Sequence, residues 1–341
     1  MDETIINYRF PFTPFPTGWF RIDWSHALKP AGVKPLRYLG RDLVLFRTKS
    51  GRACVLDAHC PHLGAHLGYG GKVINEEIQC PFHGWQLDTN GSCTTIPQTD
   101  RKPPAACVRS WPVREANGVI MLYYDPDASS PEWDIPLLEE SGSHEWTQFR
   151  PGASWRIRTH VQELGENGMD KAHFPFLHPQ QTISMRSEGI EIDKHVLVHR
   201  TFQNYRVFGL AKFLVDEVCG PLDLTLYGLG MAVNRTCVDA KIKLYYTFVF
   251  FFTPVDEETT EVTCMLSMKK TRSRFISHLL LNKAIAEGEH TIDQDVPIWE
   301  NKIYRARPLL SETDGPIMKY RNWARQFYPQ GNATRVEHDE Q

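Results

Sequence analysis

Two short ligand pairs constrain this chain more than any other feature: Cys60-Pro61-His62, and Cys80-Pro81-Phe82-His83 followed by Gly84-Trp85. They read C-x-H and C-x-x-H, with seventeen residues between His62 and Cys80. Pro61, Pro81 and Gly84 suit tight loops and not helix interiors, so each pair belongs at a loop tip. Two such tips, each offering one thiolate and one imidazole, can pinch a [2Fe–2S] cluster. The thiolates would hold one iron and the imidazoles the other, which raises its potential. The same four side chains could hold a structural zinc, although a zinc ribbon more often presents C-x-x-C twice. Zinc is colourless, so a visible spectrum separates the two.

The flanking sequence supplies a fitting scaffold. From Val33 to about Asp125 the signals are strand-like: 36–39 and 43–46 flank Gly40-Arg41-Asp42, 52–56 follow Ser50-Gly51, and Asn90-Gly91 is a strong hairpin turn. Short strands with frequent turns predict a small all-β barrel or sandwich. Residues 1–32, rich in Pro, Phe and Trp, are expected to run extended. Residues 126–145 are acidic and Pro-containing and read as a boundary. The expected organisation is therefore a segment 1–32, a domain 33–130 and a second domain 146–330. A length of 341 residues exceeds one usual core, in agreement with two domains.

The second block mixes elements. A strand is expected over 146–158, a helix over 161–174, and long alternating segments around 188–207, 222–235, 239–253 and 259–270. A long helix over 275–307 is expected to be interrupted at Pro297. Antiparallel strands with helices packed on one face define an α+β arrangement. The stretch Glu166-Asn167-Gly168-Met169-Asp170-Lys171-Ala172-His173-Phe174-Pro175-Phe176-Leu177-His178 places Asp170 and His173 three apart, on one helix face. His173 and His178 would diverge by about 140° on a continuous helix. Pro175 is expected to break the helix at Phe174 and let His178 return beside His173. Two imidazoles and one carboxylate leave iron open positions, the facial triad of non-haem Fe(II) oxygenases. Ordinary core or surface histidines are the alternative. The carboxylate must come from elsewhere. Asp293 and Asp295 on the late helix point about 200° apart, so one of them can face the site.

Taken in order, a cluster motif near the N-terminus, then E-x3-D-x2-H-x4-H, then a late carboxylate before Ile-Trp, the chain resembles the oxygenase component of the Rieske non-haem iron oxygenases. Residues 308–316 and the Arg321-Asn322-Trp323 and Gln326-Phe327-Tyr328 stretches look like the 3-ketosteroid 9α-hydroxylase and cholesterol 7-desaturase subgroup. The resemblance spans about 17 to 328. It implies an N-terminal Rieske domain and a C-terminal helix-grip catalytic domain. It implies Cys60, His62, Cys80 and His83 as cluster ligands, His173, His178 and Asp295 as ligands of a mononuclear Fe(II), and Asp170, with Asn167 beside it, as catalytic residues. Asp170 would bridge the two centres. The resemblance also implies O2 as co-substrate, hydroxylation or desaturation of a hydrophobic polycyclic substrate such as a steroid or sterol, and a head-to-tail homotrimer. Electrons would come ultimately from NAD(P)H through a separate ferredoxin reductase or ferredoxin. No G-x-G-x-x-G opens a helix here to supply that function within the chain. A non-steroid aromatic or secondary-metabolite ring system is the alternative substrate. An electron carrier and a lipid-binding module are the alternative classes.

Composition narrows the setting. A net charge of −3 gives no global case for nucleic acid or an anionic membrane. No apolar run approaches the roughly 20 residues of a bilayer span. The start, MDETIINYRF, has no apolar core, and a cytoplasmic protein is expected. The six cysteines outside the pairs, Cys54, Cys93, Cys107, Cys219, Cys237 and Cys264, are expected to be reduced and mostly buried. The greasiest segment is strand-length and puts Ile242, Leu244, Tyr246, Phe248, Phe250 and Phe252 on one side. Tyr246, Phe248 and Phe250 are the candidate substrate-pocket residues. Lys241, Lys243, Tyr245 and Thr247 would face solvent or a wet interface.

Overall fold

The computed structural model describes residues 9–10, 15–179, 182–206, 217–239 and 243–329. The chain forms two compact units: one of residues 17–138 with 253–257, the other of the remaining residues.

The first unit is built from short strands. β1 (Gly18–Trp24), β10 (Val113–Ala116) and β11 (Val119–Tyr124) form a three-stranded sheet. β1 thus lies inside the stretch expected to run extended. β2 (Val33–Tyr38), β3 (Arg41–Arg47), β4 (Ala53–Asp57) and β9 (Ser110–Trp111) form a second sheet. The turn from β2 to β3 has positive φ at both Leu39 and Gly40, the mirror-image turn that matches strand twist. β5 (Lys72–Ile74), β6 (Glu77–Gln79), β7 (Gln86–Leu87) and β8 (Cys93–Thr95) form the third sheet. The expected Asn90-Gly91 hairpin joins β7 to β8, with Gly91 at φ 83°. The two ligand loops leave this framework between β4 and β5 and between β6 and β7.

The second unit is a seven-stranded antiparallel sheet in the order β12-β18-β17-β16-β15-β14-β13. Its strands are β12 (Arg150–Ile157), β13 (Thr182–Asp193), β14 (Val196–Arg206), β15 (Glu217–Tyr227), β16 (Met231–Asp239), β17 (Lys243–Pro254) and β18 (Thr260–Met268). Two of the long segments expected from alternation are hairpins. Segment 188–207 turns at Lys194-His195, with Lys194 at φ 49°, and 222–235 turns at 228–230. Both turns lack a strong Asn-Gly or Pro-Gly signal, so alternation ran through them unbroken. α3 (Arg274–Asn301) lies on one face of the sheet, where Leu281 packs with Tyr246, Leu266 and Met268.

Three helix expectations need correction. The 161–174 helix is two helices, α1 (Val161–Asn167) and α2 (His173–Leu177). The break falls over 168–172, not at Pro175. Pro175 sits in the first turn of α2, where its missing N–H has no intrahelical partner to lose. Pro297 does not interrupt α3, which runs through it and ends at Asn301, short of 307. There Asn301 Nδ2 donates to the Pro297 carbonyl at 2.8 Å. Thr247 is fully buried and donates to Glu140 Oε1 at 2.8 Å, so its side of β17 is not wet at that point. Ile242 and Lys241 lie outside the described residues. All eight cysteines are free thiols, but of the six outside the pairs Cys54 and Cys264 alone are buried; Cys107 is exposed and Cys93, Cys219 and Cys237 are half-buried.

Candidate metal centres and cavity

The two loops of the first unit have the same hydrogen-bond plan. Gly64 N donates to Cys60 O and Gly84 N to Cys80 O. Cys60 N donates to Ala65 O and Cys80 N to Trp85 O. Gly64 and Gly84 both adopt φ 74°, a conformation suited to glycine. The shared pattern is C-P-x-x-G, a repeat the ligand-pair reading left out because it followed the ligands and not the turns. Cys60 and Cys80 point inward, each 3% exposed, among Val44, Leu56, Leu67, Ile78 and Leu87. His62 and His83 are exposed, with ring centroids 4.7 Å apart, and His62 stacks on Trp85 at 4.6 Å. Burial pushes the Cys60 thiol up to about 11, and Cys80 beside it acts the same way. Ionised thiols at this spot therefore need cations. Paired inward sulfurs and paired outward imidazoles fit the asymmetric donor set of a Rieske [2Fe–2S] cluster.

In the second unit, α1 is almost wholly buried despite two glutamates, because each has a cation. Glu166 accepts from Arg321 Nε at 2.6 Å and Nη2 at 2.7 Å, and Lys302 Nζ lies 2.5 Å from Glu163. Arg321 comes from α4 (Ile317–Ala324), whose Tyr320 hydroxyl donates to Gln162 O at 2.8 Å. A side chain at Gly165 would meet that hydroxyl at 2.3 Å, so glycine lets α1 press against α4. At Gly315 a Cβ would stand 1.6 Å from the Met169 carbonyl, so the segment before α4 supports the loop that carries Asp170.

This frame brings His173, His178 and Asp295 together, with one donor atom of each within 4.8 Å of the others. His178 Nε2 faces Asp295 Oδ1 at 3.3 Å, and neither atom has a hydrogen-bond partner. His178 Nδ1–H donates to Gln294 Oε1 at 2.9 Å, which leaves Nε2 as the free donor atom. Burial opposes protonation of His178, yet the neighbouring Asp295 carboxylate and the bond to Gln294 raise its pKa. The pocket thus attracts positive charge, and orphaned buried donors converging on one point fit a divalent metal. Asp170 Oδ2 lies 3.5 Å from His173 Nδ1 and its Oδ1 accepts from Ala172 N at 2.9 Å. Asp170 and His173 therefore meet across the start of α2, not along one helix. Asn167 Nδ2 is 3.3 Å from both His173 Nε2 and Asp295 Oδ2. Asp293 points away and accepts from Trp155 Nε1 at 2.8 Å. Gln294 was missed by sequence reasoning; its signal was its place next to a candidate ligand on a helix.

Beside this trio opens a cavity of about 1260 Å³ between the sheet and α3. Asn167, Phe174 and Asp295 line it at the metal end. Tyr246, Phe248 and Phe250 line it from β17, with Leu222, Leu224, Leu226 and Val238 from neighbouring strands. Phe248 and Phe250 are parallel, 6.3 Å apart. Gln203, Tyr205, Asn234 and Thr236 add polar atoms to the wall.

A cluster-type β domain followed by a helix-grip domain that carries a two-histidine, one-carboxylate set is the arrangement of a Rieske-type oxygenase. Residues 18–112 match the Rieske [2Fe-2S] domain, and residues 122–328 match the 3-ketosteroid 9alpha-hydroxylase C-terminal domain. The chain is 32% identical to a cholesterol 7-desaturase of Ciona intestinalis, over 93% of this chain and 70% of that protein. It is 29% identical to the oxygenase component of 3-ketosteroid-9-alpha-monooxygenase of Rhodococcus rhodochrous, over 93% and 83%. Dicamba monooxygenase bound to dicamba has the same fold, with a TM-score of 0.72, 19% identity, and coverage of 92% of this chain and 98% of that one. The chain belongs to the Rieske oxygenases whose catalytic domain is of the 3-ketosteroid 9α-hydroxylase type. It is an oxidoreductase and a terminal oxygenase component, which requires a separate electron-transfer partner. Among the described residues no helix is long and apolar enough to cross a membrane.

Proposed function

We propose that this oxygenase hydroxylates or desaturates a steroid or sterol. The observation that carries the reading is the cavity: about 1260 Å³, walled mainly by leucine, valine and aromatic side chains, and reaching Asp295, the carboxylate that stands with His173 and His178. Pockets for drug-sized ligands run to about 300–1,000 Å³, so this one suits a bulky, nearly all-carbon ring system. The sterol and steroid names of its relatives support the same class.

A mononuclear iron held by His173, His178 and Asp295 would activate O2 with electrons passed from the cluster, and ultimately from NAD(P)H. The chain's own groups then have distinct tasks. Gln294 holds the tautomer of His178, and the Asp170 carboxylate, 3.5 Å from His173 Nδ1, orients that ring. Asn167 spans His173 and Asp295 and keeps their spacing. Tyr246, Phe248 and Phe250 exclude water and seat the rings. Asn234, whose Oδ1 has no hydrogen-bond partner, can accept a bond from a substrate hydroxyl. In a head-to-tail homotrimer, Asp170 would link this centre to the cluster of a neighbouring chain, an arrangement that needs a heterologous interface that closes. Hybrid trimers of Cys80→Ser and His173→Ala chains should then regain activity.

The test joins metal analysis to product analysis. The loaded enzyme should hold about three irons and two acid-labile sulfides per chain. His173→Ala should lose one iron and keep the visible spectrum. With a surrogate reductase and NADH, a steroid and sterol panel should give oxidised product. Bleaching in His173→Ala, or no product with any panel member, would overturn the reading.

A further inference from the structure

We propose that the outer mouth of the cavity is a docking face for an anionic lipid surface. The cavity reaches the protein surface at Lys270, Arg272, Ser273 and Ile276, at the start of α3. Its inner end lies at Asp295, about 30 Å further along the same helix at about 1.5 Å per residue. Ser273 caps α3 by accepting from Ile276 N, so the first turn is held in place. From that turn Phe275, Ile276 and Leu279 stand 76%, 49% and 58% exposed. Leu279 lies three and four residues on from the other two, so all three share one side of the helix.

Residues 270–279 carry charge of one sign. Lys270, Arg272 and Arg274 are exposed, and no acid occurs from 270 to 279. The acids nearby are each matched by a lysine at the same mouth, Glu145 by Lys269 at 3.0 Å, Asp239 by Lys243 at 3.5 Å and Glu287 by Lys283 at 3.6 Å, so Lys270, Arg272 and Arg274 stand as the excess. On a chain with net charge −3 this patch is a local reversal. Exposed Phe, Ile and Leu ringed by Lys and Arg fit the boundary between acyl chains and anionic headgroups. The opening between them leads into an apolar cavity, so a lipid-dissolved molecule could enter without crossing water. A protein partner would account for the charge but not for the opening.

The proposal rests on the position of the mouth and not on which substrate is oxidised, and vesicle binding involves no turnover. Its failure would leave the oxygenase reading intact. Full-chain holoenzyme is floated with phosphatidylcholine vesicles, with and without phosphatidylglycerol, at low and high salt. Wild type should float with the anionic vesicles at low salt and stay behind with the neutral ones. Phe275→Ser/Leu279→Ser should weaken partition at least about tenfold. Arg274→Glu should weaken it about 25-fold, since each surface cation is worth about fivefold. Leu309→Ser, at a fully exposed leucine, should change nothing. A far-ultraviolet melt matching that of wild type verifies that each variant is folded. Wild type that floats with neither vesicle overturns the proposal, as does equal loss in Leu309→Ser. Absence of vesicle binding together with a smaller solution mass for the double variant would reassign the patch to self-association.

Discussion

Arg321→Met is the substitution most revealing of how the mononuclear site is held. Arg321 has 6% and Glu166 8% of its side chain exposed, and the two share a pair of hydrogen bonds. Tyr304 covers the guanidinium at 4.4 Å. Methionine keeps much of the volume but leaves the buried Glu166 carboxyl group without its cation. Removing one member of such a pair costs about 3–5 kcal/mol. A unit of this size loses roughly 2–4 °C per kcal/mol, so its melting temperature should fall by roughly 6–20 °C. Asn167 follows Glu166 in sequence, so slackening of α1 should also lower iron retention and turnover. Glu166→Leu/Arg321→Met removes both charges and should recover most of the lost stability. Arg321→Lys keeps charge but not the planar two-bond fit, and should fall between. Far-ultraviolet melts with iron analysis provide the readout. If Arg321→Met melts within about 2 °C of wild type, or the double variant is no better than the single one, the pair does not anchor α1.

The remaining predictions concern smaller groups. Gln294→Leu should lower iron affinity about 10–100-fold in chelator competition while the cluster spectrum persists; unchanged affinity would show that Gln294 does not set the His178 tautomer. Asp170→Asn should keep both metals and lose most turnover, and wild-type turnover in it would remove Asp170 from electron coupling. Glu140→Gln should flatten the acid limb of stability. Burial opposes ionisation of Glu140, but bonds from Arg235 at 2.7 Å and Thr247 outweigh it and hold its pKa below the usual value. A depressed carboxyl pKa adds stability above the unfolded value of about 4.3 and loses it as pH falls through the folded value. Urea midpoints from pH 6 down to about pH 3 should therefore drop less steeply in Glu140→Gln, and parallel curves would refute the assignment.

How much of this was legible in the sequence depends on distance along the chain. The cluster loops were, because each ligand pair and its turn glycine lie within five residues, and prolines and glycines state their backbone needs locally. Strand alternation was legible over 243–254 for the same reason. His173 and His178 could be suspected from spacing, but the reason they meet was misread. Pro175 begins a helix here and does not end one, because the chain already turned at 168–172, under Gly315. Pro297 likewise sits within α3, which runs on to Asn301 despite one missing N–H and is tied to β12 one turn earlier by the bond from Trp155 to Asp293.

The sequence by itself determined which chemistries were available: two soft and two nitrogen donors on paired loops, and two imidazoles near an acid. Residue chemistry did not separate Asp293 from Asp295; the family resemblance pointed to Asp295, and packing is the physical reason, since it turns that face of α3 toward the histidines and Asp293 toward Trp155. Tertiary structure alone decided that Glu163 and Glu166 could be buried, because their cations arrive from positions 302 and 321. Gln294 behind His178, Thr247 against Glu140, and the cavity beneath α3 are of the same kind. Each depends on side chains far apart in sequence whose desolvation is tolerable only once their partners are in place, and no local pattern records that condition.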